Sequence, residues 1–153
     1  MGDSQILVKE TYSITSLDPY NFNKWPIPLL NSIKECIGKP YKYGCFDNSG
    51  YDCYTLVYYL YSLVGMKLPK ENIASFNLKV HTKLIDAQLI NFLPICYNDR
   101  QPFDVIMFKS YHLGVVLDKH LFIHVNFDTP VVLEYFLGNI ETGFIRKIYR
   151  WNF

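Results

Sequence analysis

Cys53 sits where a polar loop, 39–51, gives way to an apolar run that includes Leu56, Val57, Leu60, Leu63 and Val64. If that run is a helix, the thiol stands at its N-terminal end, where unpaired N–H groups and the helix dipole favour negative charge. A thiol so placed is expected to ionise more readily than usual, and the thiolate is the nucleophilic form of cysteine. An isolated buried cysteine is more often a small inert hydrophobe, so the assignment needs a base. Two histidines offer one. In His112-Leu113-Gly114-Val115-Val116-Leu117, strand alternation puts His112, Gly114 and Val116 on one face. Phe122, His124 and Asn126 likewise share a face in the next run. A hairpin with its tip at Asp118 sets His112 directly opposite His124, Cβ atoms roughly 5 Å apart. His112 then serves as base, and His124 holds its far nitrogen and fixes its tautomer. Gly114 is expected to leave that face open near His112. His81 and His120 carry no such pattern, and His120 falls near the hairpin tip, in solvent.

The elements that must position these groups follow from periodicity and punctuation. Residues 1–27 hold turn signals at Asp18-Pro19 and Trp25-Pro26-Ile27-Pro28 and no sustained period, so they read as a lead-in that packs on the domain formed by 28–153. Leu29, Leu30, Ile33, Cys36 and Ile37 recur at helical spacing, with Gly38 as the stop. A second helix is predicted over 53–64, capped by Asp52, ended by Gly65 and apolar nearly all round, hence buried. Residues 77–92 are assigned a further helix. From Phe103 onward short β-rich runs take over, at 104–108, 112–117, 121–125, 131–136 and 144–151, separated by turn residues. Helices first and then an antiparallel sheet of about five strands is an α+β arrangement.

Composition narrows the function classes. Of the 153 residues, 50% are hydrophobic and 17% aromatic, enough for a single well-packed domain. A formal net charge of +1, with Lys and Arg scattered, lacks the basic stripe of a nucleic-acid binder. No run reaches the roughly 18 apolar residues a membrane helix needs. The start, Met1-Gly2-Asp3-Ser4-Gln5-Ile6, is too polar for a secretory signal, and Ile6 stands where a myristoylation site wants Ser or Thr. The expectation is a chain made in the cytoplasm. The cysteines, Cys36, Cys45, Cys53 and Cys96, show no CxxC spacing, so neither a zinc site nor a disulfide framework is supported. Cys36 and Cys96 are expected to be buried hydrophobes.

The motifs together resemble the NlpC/p60 family of cell-wall peptidases. Gly38-Lys39-Pro40-Tyr41-Lys42-Tyr43-Gly44 followed by Gly50-Tyr51-Asp52-Cys53-Tyr54-Thr55-Leu56-Val57 is similar to that family's nucleophile segment. Gly65-Met66-Lys67-Leu68-Pro69, Phe103-Asp104-Val105-Ile106-Met107-Phe108, His112-Leu113-Gly114-Val115-Val116-Leu117 and Phe122-Ile123-His124-Val125 match later family blocks in order and spacing. The resemblance spans about 28–150, and it is specific only as a set. It implies a papain-like α+β fold that hydrolyses peptidoglycan stem peptides, commonly at the D-γ-glutamyl–diamino acid bond, through a thioester and without a cofactor. Carried over by position, Cys53 is the nucleophile, His112 the base and His124 the third polar member. Tyr41 matches a tyrosine beside the nucleophile, and Asp52 an acidic residue associated with the substrate's free amine.

The chain departs from the family pattern at Cys45, which replaces the second glycine of a Gly-Gly pair, and at Phe103, which replaces the glycine before Asp104. Tyr54-Thr55 replaces Ser-Gly, placing Tyr54 in the substrate pocket and leaving specificity open. The aromatic after the nucleophile, and the C-terminal strands, resemble the phage-tail branch. That implies phage-tail proteins as partners and a virion-associated or cell-wall destination. Two alternatives stay in view: an amidase, transamidase or acyltransferase on the same fold, and a non-catalytic tail-tip assembly protein.

Overall fold

The computed structural model describes residues 12–70, 91–110, 112–137 and 143–151. Among the described residues, two α-helices pack on one six-stranded antiparallel sheet. Helix α1 is Ile27–Cys36 and helix α2 is Cys53–Leu63. The strands are β1 (Phe92–Ile95), β2 (Val105–Phe108), β3 (Leu113–Val116), β4 (Leu121–Asn126), β5 (Thr129–Tyr135) and β6 (Ile145–Trp151), in spatial order β1-β6-β2-β3-β4-β5. This is the expected α+β class with one more strand than the sequence pattern marks. The added strand contains Pro94, which donates nothing to a ladder, and β1 accordingly lies at an edge, as does β5 with Pro130. Of the helix assigned to 77–92, residues 77–90 lie outside the described residues, and Phe92 opens β1.

Alternation divides the sheet's burial into two layers. Val105, Met107, Leu113, Val115, Ile123 and Val125 meet Leu29, Ile33, Leu56 and Leu60 of the helices in the main core. Ile106, Phe108, Val116, Phe122 and Ile148 form a smaller cluster of their own. The side carrying the histidines is therefore packed with aromatics, not half-solvated.

Within the lead-in, Leu17, Phe22 and Trp25 are buried. Trp25 stacks on Phe103 at 5.8 Å and donates its indole N–H to the Asp18 carbonyl. The β3–β4 turn also holds this segment. Asp118 Oδ2 accepts the Phe22 N–H, and the Pro19 carbonyl accepts the Lys119 N–H. Asp118 Oδ1 accepts the N–H groups of His120 and Leu121, so the buried carboxylate both shapes the turn and anchors the lead-in. Asp118→Ala should strand three N–H groups and lower stability by about 2–4 kcal/mol, read from urea midpoints.

Candidate active site

Helix α2 begins with a capping box. Asp52 Oδ1 accepts the N–H groups of Tyr54 and Thr55, while Thr55 Oγ1 accepts the Asp52 N–H. This fixes Cys53 as the first helical residue. The preceding loop folds back on the cap. Lys42 N–H donates to the Tyr51 carbonyl, Tyr51 N–H donates to the Pro40 carbonyl, and Tyr41 bridges to Tyr51. Gly50 permits that approach, because a Cβ there would stand 2.7 Å from the Pro40 oxygen. Tyr41 is thus held near both Asp52 and Cys53. Burial, then the charges of Asp52 and Cys53, push its hydroxyl up to about 12.

The sulfur of Cys53 meets the start of β3, where the Leu113 N–H donates to it. His112 is the preceding residue. Its Nε2 lies 2.8 Å from His124 Nδ1. The histidines are on one face, as alternation requires, but they are not directly opposite. Gly114 is the residue facing His124, so His112 lies diagonal to it. The hairpin is longer than expected: Leu117 N–H bonds the Leu121 carbonyl, and the Asp118 carboxylate organises the turn between them, moving the tip to Lys119. Long side chains reach across a diagonal, so a register shift of two residues preserves the pair.

Gly114 does not open the face beside His112. Its missing Cβ admits the Phe108 ring, 3.1 Å from where that Cβ would be. Phe108 stacks on His112 at 5.1 Å and lies 5.8 Å from His124, and Phe122 covers His124 at 5.2 Å. Neither sequence periodicity nor motif singled out Phe108, because an apolar strand residue carries no chemistry of its own.

The expected easily ionised thiol is not what the geometry gives. Cys53 is only 4% exposed. Burial, with the adjacent Asp52 carboxylate, pushes its thiol up to about 12, against the pull of the Leu113, Cys53 and Tyr54 N–H groups. Burial is the larger cause of the reversal, and the cap adds to it. Asp52 places a carboxylate beside the sulfur, which disfavours a second negative charge there. The resting group is a thiol. Alkylation of Cys53 by iodoacetamide should therefore keep rising above pH 9, and a plateau near pH 6 would contradict this. Stability follows with the same sign. Because the folded value lies above the ordinary 9.0, the contribution of Cys53 is full below about pH 9 and is lost as pH climbs towards 12.

Asp52 has no surface for a substrate amine here. It is fully buried, Oδ1 is used twice, and Oδ2 accepts the Gly44 N–H at 2.7 Å. Burial raises its acidity constant's exponent above the usual carboxylate range, offset in part by those bonds. Asp52→Asn should retain most of the cap, lose the Gly44 bond and lower the Cys53 thiol value, read as faster alkylation at a given pH. Tyr54 likewise faces inward. It is buried, and its hydroxyl donates to the Pro69 carbonyl. Cys36 is buried against the Tyr51 hydroxyl, but Cys96 is exposed at a turn start rather than buried. His120 is exposed, and His81 lies outside the described residues.

A capped helix presenting a cysteine to the first strand of a His–His hairpin is the arrangement the sequence motifs anticipated. The family model described as NlpC/P60 family matches residues 38–149. The chain belongs to the NlpC/P60 family. Among solved structures, the NlpC/p60 domain of the peptidoglycan hydrolase SagA is similar at 18% identity and TM-score 0.54, covering 78% of this chain and 93% of that one. A Staphylococcus aureus protein of the NLP/P60 family, described as similar to a lipoprotein, aligns at 15% identity and TM-score 0.57, over 95% of this chain and 44% of its own. A Bacillus cereus NlpC/P60 family protein aligns at 18% identity and TM-score 0.58, over 80% and 39%. At these identities the likeness is one of fold. No curated protein sequence matches the chain. Phe103, at the family's glycine position, adopts φ of 69°, which accounts for the glycine preference there.

Proposed function

We propose that this NlpC/P60 member is a cysteine endopeptidase that hydrolyses peptidoglycan stem peptides, at the D-γ-glutamyl–diamino acid bond. The observation that carries the reading is the approach of Cys53, at the capped start of α2, to Leu113, the residue after His112, whose ring pairs with His124. SagA, a peptidoglycan hydrolase whose domain shares the fold, supports the substrate class.

With Nε2 of His112 committed to His124, Nδ1 is the nitrogen for the thiol. His112 takes the Cys53 proton as sulfur bonds to the scissile carbonyl carbon. The oxyanion is met by the backbone N–H of Cys53, a first-turn amide that Asp52 does not take. His112 returns the proton to the leaving amine as the C–N bond breaks, and a thioester remains. Water, deprotonated by His112, then releases the acid and restores the thiol. Tyr41, beside Asp52 and Cys53, lines the approach to the sulfur.

Tyr54 favours one second reading. A buried aromatic replaces the family's pocket serine, and a different acyl acceptor would make the same chemistry a transamidation or amidase reaction. Delivery by a phage tail rests on the Asp52-Cys53-Tyr54-Thr55-Leu56-Val57 motif and on the C-terminal strand pattern. Mass spectrometry of digested cell-wall peptides separates the readings. Release of L-Ala-D-Glu supports the endopeptidase; products carrying an added amine instead of water would replace it with acyl transfer.

A further inference from the structure

His124 presents its second ring nitrogen away from His112. That Nε2 is buried and makes no hydrogen bond of good geometry, yet Glu134 Oε1 stands 3.2 Å from it. Glu134 lies on β5 opposite Phe122, diagonal to His124, with its side chain 47% exposed and thus free to rotate into line. The titratable groups recorded against His124 are His112 from β3 and Glu134 from β5, while Phe108 and Phe122 enclose the ring with carbon.

Resting on the proposed role of His112, we infer that Glu134 is a positioning residue that sets the tautomers of the whole chain of imidazoles. The argument is one of proton count. A base at His112 Nδ1 must be unprotonated there, so its hydrogen sits on Nε2 and is donated to His124 Nδ1. His124 Nδ1 must then be bare, which puts its own hydrogen on Nε2. A carboxylate accepts a hydrogen but cannot donate one when ionised, so Glu134 favours that tautomer. Glutamine keeps an accepting oxygen; valine keeps neither acceptor nor charge.

The test uses the full chain, labelled with 15N, as wild type, Glu134→Gln and Glu134→Val. Histidine ring spectra are recorded at about pH 8, above the ordinary imidazole range. Wild-type His124 is expected as the Nε2–H tautomer. Glu134→Val should gain the Nδ1–H form and lose about tenfold in turnover, while Glu134→Gln keeps the tautomer and stays within about threefold. The ring spectra need no substrate. A wild type that shows the Nε2–H form but cleaves no stem peptide supports this inference and overturns only the substrate reading. An Nδ1–H tautomer in wild-type His124, or a Glu134→Val protein with unchanged tautomer and turnover, overturns it.

Discussion

Replacing His112 with alanine is expected to lower turnover of stem peptides by roughly a hundredfold to ten-thousandfold, the range of general acid–base catalysis. The loss arises because Cys53 rests as a thiol. Burial and the Asp52 carboxylate hold its proton on, so attack needs a group to remove it. His124→Ala should cost less, about tenfold to a hundredfold, because it removes one hydrogen bond at 2.8 Å that orients the base rather than the base itself. Paired kinetics of the two variants, each shown to melt like the wild type, check the ranking. His124→Ala falling further than His112→Ala would reverse the assigned roles. The aromatic packing matters here too. Phe108 against His112 and Phe122 against His124 hold the rings in place, and carbon neighbours raise the penalty for a misaligned polar atom.

Phe103→Ala is expected to destabilise the fold by about 3–5 kcal/mol, a fall in melting temperature of about 10 °C. The ring is buried between Trp25 of the lead-in and Tyr61 of α2, whose hydroxyl donates to the Phe103 carbonyl. Yet Phe103 holds φ of 69°, in a region that costs a side-chain-bearing residue about 1–2 kcal/mol. Phe103→Gly removes the same ring and also the strain, less the extra chain entropy of glycine. The glycine variant should therefore be more stable than the alanine variant by up to about 1 kcal/mol, measured by urea unfolding. Equal stabilities, or a more stable alanine variant, would mean the backbone at 103 is unstrained. The comparison bears on how this member departs from its family: a strained aromatic anchors the lead-in where a glycine is usual.

Much of the site was legible because its signals are local. Asp52 ahead of Cys53 announces a capped helix start, and the structure completes it with Thr55 as a capping box. The shared face of His112 and His124 follows from period two and holds under any register shift of two. The direct pairing failed because hairpin length depends on a turn organised by a side chain, Asp118, whose bonds reach back to Phe22. β1 was missed because Pro94 breaks a strand pattern everywhere except at an edge, and edge position is a property of the assembled sheet. The thiol's direction was misjudged for a related reason. A helix N-terminus favours negative charge, but Asp52 already occupies it, and burial of Cys53 depends on elements 60 residues further on. Glu134 has no motif of its own. Its nearness to His124 comes from the β4–β5 register, which bulges between His124 and Asn126.

The central claim is that Cys53 forms a thioester with the stem peptide, and acid-quenched mass spectrometry addresses it most directly. Protein taken during turnover of purified stem peptide is stopped in acid, digested and searched for an acyl adduct. A mass increase on the peptide bearing Cys53, absent after addition of hydroxylamine and absent in Cys53→Ala, is the predicted result. Undiminished cleavage by Cys53→Ala, with no adduct on any wild-type cysteine, would contradict it.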